Sequence, residues 1–213
     1  MAKRPVFVPF RKAPYVDTYL PEFSWSGGFA VSQKRKNIAA LHEAFHSRFP
    51  DKQVLEISSK SLQPAGVAAS AFHLKKAVPS LGCSVPVECV FQGGKVFADS
   101  GPHTDLYTAA PRDAKRDPRL RESGPLQSFF FEGQTFPLVP KTAFYNWLYI
   151  NALAETPELA QQLTAFDAFT DIEFNPEKSL NCQAEAAAMF TSLHRLGLLD
   201  RCRRFEDFLM LLK

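Results

Sequence analysis

Apolar residues along the 213-residue chain predict short strands that alternate with short helices. The run from Val6 to Phe10 is typical of a strand, and Pro9 favours an edge position because proline cannot donate to a ladder. Ile38, Leu41 and Phe45 recur at helical spacing and predict a helix that Pro50 terminates. Alternation over residues 166–174 indicates another strand near the end of the chain.

Further strands and helices follow from the same reasoning. Residues 11–28 lack a regular pattern, and Phe29–Ser32 predicts a short strand before the first helix, with Ser32 as a possible cap. The remaining predicted elements are a strand at Val54–Ile57, a hairpin turning at Glu132-Gly133, and helices over 140–151, 158–163 and 184–196. Asn181 is a candidate cap for the last of these helices, and Gly197 is its expected stop. No break in composition divides the chain, so we expect one helix-rich α+β domain over residues 1–213.

The stretch Val85–Phe97 carries the first candidate chemistry and is predicted to form one helix opened by Pro86. Glu88, Gln92 and Lys95 then share a face at i, i+4 and i+7. Two consecutive glycines, Gly93 and Gly94, cost about 1 kcal/mol each in a helix. Close approach of a ligand or of another backbone would explain them. From spacing alone, a solvated face with an ordinary charge pair is the simpler interpretation.

Two motifs give the stretch a second interpretation. Ala69-Ser70-Ala71-Phe72 precedes Glu88-x-x-Phe91-Gln92-x-x-Lys95-x-Phe97, and this order resembles the core of the NADAR (YbiA-like) N-glycosidase family. The segments 170–175 and 178–181 are similar to that family's C-terminal motif. The chain departs from the family at Ala71, where asparagine is usual, and at Phe174, where tryptophan is usual.

A closer resemblance covers nearly the whole chain. The stretches Gly28–Lys34, Leu55–Lys60 and Phe144–Asn151 are similar to the NADAR antitoxins encoded beside guanine-specific DarT toxins. This resemblance implies a NADAR-like fold and hydrolysis of ADP-ribose from modified guanine in DNA or RNA, with free ADP-ribose as product. The implied functional partner is a DarT-type toxin. No cofactor is implied, because water is the second substrate.

The resemblance also implies a set of site residues. Glu88 is the first candidate for the catalytic carboxylate, since an oxocarbenium-like transition state needs a nearby negative charge. Asp171 is the second candidate, although a turn-capping aspartate is an equally good interpretation. Lys95 is expected to tune Glu88 or to bind phosphate. The expected substrate-binding residues are Ser58, Lys60, Ser70, Phe72, Gln92, Asn175 and Asn181.

Charge suggests where a nucleic acid would bind. Lys34, Arg35 and Lys36 are candidates for contact with a phosphate backbone, as are the basic residues of 111–122. The simpler interpretation is a solvated face for residues 34–36 and a solvated loop for residues 111–122, because the net charge of the chain is only +3.

Composition restricts the remaining possibilities. The four cysteines and five histidines make no metal-ligand spacing, so we expect buried thiols and no metal. No apolar run approaches the length of a membrane span and no leader segment is evident, so we expect a cytoplasmic protein without a membrane partner. Two alternatives stay open. Gln183-Ala184-Glu185 also resembles the DarT toxin, in which case Glu185 would serve a mono-ADP-ribosyltransferase. The chain could also be a non-catalytic ADP-ribose-binding module.

Overall fold

The computed structural model describes residues 1–213 as one α+β unit of nine α-helices and eleven short strands. The strands are β1 (Ala2–Lys3), β2 (Val6–Pro9), β3 (Val16–Tyr19), β4 (Glu22–Phe23), β5 (Val54–Glu56), β6 (Lys75–Val78), β7 (Cys83–Pro86), β8 (Lys95–Phe97), β9 (Leu126–Phe131), β10 (Gln134–Phe136) and β11 (Ala168–Thr170). The helices are α1 (Val31–His46), α2 (Pro64–Ala68), α3 (Val87–Gly93), α4 (Pro111–Arg116), α5 (Arg119–Glu122), α6 (Ala143–Ala154), α7 (Pro157–Leu163), α8 (Gln183–Arg195) and α9 (Phe205–Leu211).

The largest sheet has the strand order β3-β2-β11-β5. Strand β5 runs parallel to β11, and the other neighbours are antiparallel. Strand β2 is therefore interior, and the prediction of an edge strand is wrong. Pro9 is tolerated because only Val6 and Phe7 pair with β11, so the proline lies beyond the doubly paired part of the strand.

Four other predictions are wrong in detail. The segment 11–28 contains β3 and β4, and the expected strand at Phe29–Ser32 is instead the start of α1, so that Ser32 lies inside the helix. The region 111–122 forms α4 and α5 rather than a loop. The single helix expected over Val85–Phe97 ends at Gly93, and Lys95 begins strand β8.

The helical stripe, the hairpin and the C-terminal helices are confirmed. Ile38, Leu41 and Phe45 are buried on α1, and β9 turns into β10 through Glu132 and Gly133. Helix α6 lies at the centre of the molecule, with ten of its twelve residues buried, and packs against α8. The aromatic residues of α6, including Trp147, are therefore part of the core.

Gly93 and Gly94 let other chain segments approach closely, as the sequence suggested. A Cβ at Gly93 would lie 2.7 Å from the Tyr107 ring, and one at Gly94 would lie 2.6 Å from the carbonyl oxygen of Phe130. The amide of Phe130 donates to the Gly94 carbonyl at 2.7 Å, which ties the end of α3 to β9. The two glycines thus allow the helix that carries Glu88 to pack directly on a neighbouring backbone.

We predict that Gly94→Ala destabilises the protein by about 1–3 kcal/mol, because the new methyl group overlaps backbone rather than a movable side chain. Gly27→Ala is the control, since a Cβ there meets nothing within 4 Å. Urea unfolding of both variants measures the effect. Equal stability of Gly94→Ala and the parent would show that the close packing of α3 on β9 is wrong.

Candidate active site

One cavity of about 690 Å³ collects the polar groups of several chain segments. Its size is within the usual range for small-molecule sites. The cavity lies where strands β5 and β11 end and where helices α3 and α8 begin. Its lining residues are Ser58, Ser59, Lys60, Ser70, Phe72, Glu88, Phe91, Gln92, Lys95, Arg112, Lys115, Arg116, Tyr145, Asp171, Glu173, Phe174, Ser179, Leu180, Asn181 and Gln183.

Most residues that the sequence nominated as catalytic or substrate-binding lie around this cavity. The lining contains Glu88, Asp171, Lys95, Ser58, Lys60, Ser70, Phe72, Gln92 and Asn181. Asn175 does not line it. Its side-chain oxygen instead accepts from the Glu177 amide at 3.1 Å in a local turn. The roles of the nine lining residues stay predictions.

Glu88 is buried in the cavity wall, so the interpretation of α3 as a solvated surface face is wrong. Only 5% of Glu88 is exposed. Its Oε1 accepts a hydrogen bond from Nε2 of Gln92 at 2.9 Å and lies 3.4 Å from Nζ of Lys115. Glu88 is also in the first turn of α3, where the helix dipole favours a negative charge. These contacts hold a carboxylate in place without surrounding it by donors.

Lys95 reaches the same cluster from strand β8. Its Nζ donates to Oε1 of Gln92 at 2.7 Å, so Gln92 bridges Lys95 and Glu88. Burial lowers the pKa of Lys95, the nearby Lys115 lowers it further, and Glu88 opposes both effects. The ammonium is thus less strongly proton-binding than an ordinary lysine, which suits a group that meets an anion or moves a proton.

Three cations of α4 also line the cavity, and sequence analysis had placed them in a loop. Arg112, Lys115 and Arg116 lie at i, i+3 and i+4, with buried Ala114 on the opposite side. Lys115 is paired with Glu88, but neither arginine has a carboxylate within 4 Å. The helical spacing of these three residues was the signal that could have identified them.

Asp171 forms the other acidic part of the cavity. It is buried, its Oδ2 accepts from Nε2 of Gln183 at 2.9 Å, and its Oδ1 accepts from the Glu173 amide at 3.0 Å. Burial raises the pKa of Asp171, and the Gln183 hydrogen bond opposes that rise. The hydrogen bond from the Glu173 amide is the turn-capping contact anticipated from the sequence. The second oxygen, Oδ2, is bonded to Gln183.

Ala71 joins the two carboxylate regions through its backbone. Its amide donates to Oε1 of Gln183 at 2.8 Å, and its carbonyl accepts from the Glu88 amide at 2.9 Å. Gln183 therefore holds Asp171 with its amide nitrogen and the backbone of Ala71, which follows α2, with its amide oxygen. This contact needs no side chain at position 71, which explains how the alanine is accommodated.

A fully buried carboxyl group, that of Glu56, holds the backbone on either side of Asp171. Its Oε2 accepts from Oγ1 of Thr170 at 2.6 Å, and its Oε1 accepts from the Ile172 amide at 2.9 Å. His42 of α1 is 2.8 Å from the same Thr170 hydroxyl. Burial raises the pKa of Glu56, and the Asp171 carboxylate raises it further.

Asn181 has an unpaired oxygen in the cavity wall. Its Oδ1 is buried without a hydrogen-bond partner. The expected cap on α8 is wrong, because Cys182 is the residue at that position and no side chain caps the helix. A buried acceptor without a donor is costly, so Asn181 is suited to receive an N–H group from a ligand.

The remaining nominated residues form the cavity edges. Ser58 and Lys60 follow β5, and the Lys60 ammonium donates to Oγ of Ser59 at 2.7 Å. Ser70 donates to the Val67 carbonyl at 2.8 Å, and Phe72 is half-buried with the Lys115 ammonium 5.4 Å from its ring centre. This edge offers hydroxyl groups and one aromatic face.

Several expected features lie elsewhere. Glu185 is outside the cavity lining, and so are Lys34, Arg35 and Lys36. No group of three or more histidine, cysteine, aspartate or glutamate side chains is arranged to hold a metal ion. No helix has the length and apolar character needed to cross a membrane.

Comparison with known proteins gives one family. A family model described as "DarT1-associated NADAR antitoxin" matches residues 2–213. No curated protein matches the chain. The match includes every residue that lines the cavity.

We predict that Glu56→Gln makes stability less dependent on pH. An acid whose pKa is raised by folding stabilises most below its ordinary pKa, and that contribution is lost as the pH rises through the raised value. Glutamine keeps one oxygen to accept from the Ile172 amide, its NH2 group can donate to the Thr170 hydroxyl, and it does not titrate. Between about pH 5 and 8, the free energy of unfolding should fall more steeply for the parent than for the variant.

Exposed Glu43 on α1 provides the control for this measurement. Glu43→Gln should follow the pH dependence of the parent, because its side chain makes no buried contact. If the free energy of unfolding depended on pH equally in the parent and in Glu56→Gln, the pKa of Glu56 would not be raised by folding.

Proposed function

The chain belongs to the family of DarT1-associated NADAR antitoxins, and we propose that it is a hydrolase that releases ADP-ribose from modified guanine in DNA, opposing a DarT-type toxin. In this reaction the bond between the anomeric carbon and a guanine nitrogen breaks. Water supplies the hydroxyl group to that carbon, and the guanine nitrogen gains a proton. The residues of the cavity support this chemistry, and the family resemblance supports guanine as the modified base.

The observation that carries the proposal is that one cavity contains both buried carboxylates and cations that have no carboxylate partner. Glu88 and Asp171 supply negative charge, while Arg112 and Arg116 have no carboxylate partner. An ADP-ribosyl group needs both, since its diphosphate is anionic and its ribose becomes cationic during bond cleavage.

Glu88 is the proposed catalytic carboxylate. Bond cleavage at an anomeric carbon passes through an oxocarbenium-like state, which a fixed negative charge stabilises. The hydrogen bond from Gln92 fixes the orientation of Glu88, and only one partly exposed cation, Lys115, lies within ion-pairing distance. Asp171, whose pKa burial raises, is the second candidate for proton transfer with water or the leaving base.

Arg112 and Arg116 are the proposed diphosphate ligands. Guanidinium groups bind phosphate oxygens in a bidentate manner. Arg112 and Arg116 are one turn apart on α4, and both line the cavity. Lys95 and Lys60 supply further positive charge on the lining. Asn181 Oδ1, buried and unpaired, is the proposed acceptor for an N–H group of a base.

The cavity favours the hydrolase over both alternatives. The transferase interpretation requires Glu185 to reach substrate, but Glu185 is not among the lining residues. A binding module would have no use for two carboxylates held close to an anionic ligand, because each weakens binding of the diphosphate. Turnover by the purified protein distinguishes the hydrolase from the binding module, and NAD consumption would reveal the transferase.

We predict that Glu88→Gln lowers the rate of ADP-ribose release from an ADP-ribosylated guanine oligonucleotide by about 100-fold or more, the usual scale for a positioned acid or base. Binding of free ADP-ribose should survive because the amide keeps the shape and the Gln92 contact. Stability should change by only about 1 kcal/mol, since the lost ion pair with Lys115 is partly exposed.

Glu185→Gln serves as the control for this rate, and we expect it to release ADP-ribose like the parent. A folded Glu88→Gln protein with the parent rate would remove Glu88 from the mechanism. Inactivation by Glu185→Gln alone, together with NAD consumption by the parent, would support the transferase instead.

We predict that Arg112→Ala and Arg116→Ala each weaken ADP-ribose binding about tenfold, the scale of a lost hydrogen bond between charged groups. Arg121→Ala is the matched control, because Arg121 is exposed on α5 and does not line the cavity. Titration calorimetry with free ADP-ribose measures the affinity directly, because this ligand is the reaction product and is not turned over. Unchanged affinity in both cavity variants would place the diphosphate elsewhere.

A further inference from the structure

The segment Trp25–Lys36, here called the α1 lip, exposes apolar side chains that folding would ordinarily bury. Phe29 is 99% exposed, Val31 is 49% exposed and Trp25 is 37% exposed. Gly28, with a φ of +111°, sets the chain direction just before Phe29. Scattered single apolar residues are ordinary on a surface, but three within seven residues form a local patch.

The α1 lip is also basic. Lys34, Arg35 and Lys36 are the fourth to sixth residues of α1, and the first turn of that helix has no acidic residue. Glu173 neutralises Lys34 at 3.4 Å, whereas no carboxylate lies within 4 Å of Arg35 or Lys36. The positive charges of Arg35 and Lys36 are therefore free to pair with an anionic ligand.

Two contacts attach the α1 lip to the cavity. Nε of Arg35 donates to the Lys60 carbonyl at 3.4 Å, and the partner of Lys34 is Glu173. Lys60 and Glu173 both line the cavity. The first turns of α1, which follow Phe29 directly in the chain, are thus in contact with the edge of the cavity.

We infer that the α1 lip binds single-stranded DNA, with Phe29 stacking on a base beside the modified guanine and with Arg35 and Lys36 contacting the phosphate backbone. The inference rests on the proposed function, because it extends the same substrate beyond the ADP-ribosyl group. Phe29 is the new element, since the basic residues alone fit any polyanion.

The chemistry of the α1 lip favours a single strand. An exposed aromatic ring beside cations is the usual arrangement for binding single-stranded nucleic acid, because unpaired bases offer a free face for stacking. The faces of paired bases in a duplex are already stacked. A guanine whose ADP-ribose enters the cavity must also stand clear of its neighbours, which leaves the next base free for Phe29.

The test measures binding of a labelled, unmodified 12-nucleotide single strand by fluorescence anisotropy at a series of salt concentrations. Phe29→Ala should weaken binding about tenfold, the scale of a lost base-stacking contact, and Phe29→Trp should retain it. Lys36→Ala should weaken binding and lower the salt dependence by about one phosphate contact. Met210→Ala is the matched control, since Met210 is 58% exposed on α9, away from the cavity lining.

Hydrolysis of an ADP-ribosylated guanine nucleoside is measured in parallel and should be equal in all four variants. Unchanged strand binding by Phe29→Ala, or equal dependence on Phe29 for a duplex, would overturn the inference. A loss of toxin binding without a loss of strand binding would also overturn it, in favour of a protein partner. Failure of the parent to hydrolyse the nucleoside would count against the proposed function. Strand binding that depends on Phe29 would still support the inference that the α1 lip binds single-stranded DNA.

Discussion

The site depends on the cost of keeping two carboxylates out of water in one cavity wall. A buried charge is tolerated only when donors or opposite charges replace its hydration. Gln183 meets this requirement for Asp171, Gln92 and Lys115 meet it for Glu88, and the Ala71 backbone links the two regions. A change at any of these points leaves a buried polar group unpaired.

The fold brings these groups together by ending its elements at one place. Asp171 follows β11, Glu88 is in the first turn of α3, and Gln183 is the first residue of α8. The buried body of α6 packs behind them and fixes the helices to one another. Glu56, buried behind the cavity wall, accepts hydrogen bonds from Thr170 and Ile172 and so fixes the residues on both sides of Asp171. Helix α4 adds cations to the lining that also contains Glu88 and Asp171. Such a cavity suits a ligand that is anionic at one end and becomes cationic at the other.

Periodicity in the sequence predicted the helical stripes and the α+β class. The family resemblance predicted nine of the residues that line the cavity. Local patterns failed where tertiary pairing decides the outcome. Pro9 suggested an edge strand, but partial pairing with β11 lets the strand lie inside the sheet. The spacing of Glu88 and Lys95 suggested a single exposed helix face. In the structure the helix ends between them, and the two side chains meet through Gln92 inside the cavity. The spacing of Arg112 and Arg116 is compatible with one helix face, but only the packing of α4 against α3 shows that this face reaches the cavity.

A crystal structure of Glu88→Gln bound to ADP-ribose would show whether the cavity holds the substrate. We expect density for the diphosphate beside Arg112 and Arg116, with the ribose anomeric carbon next to position 88. Gln183 should still hold both Asp171 and the Ala71 amide. ADP-ribose bound outside this cavity, or bound with the anomeric carbon remote from position 88, would show that Glu88 is not the catalytic carboxylate.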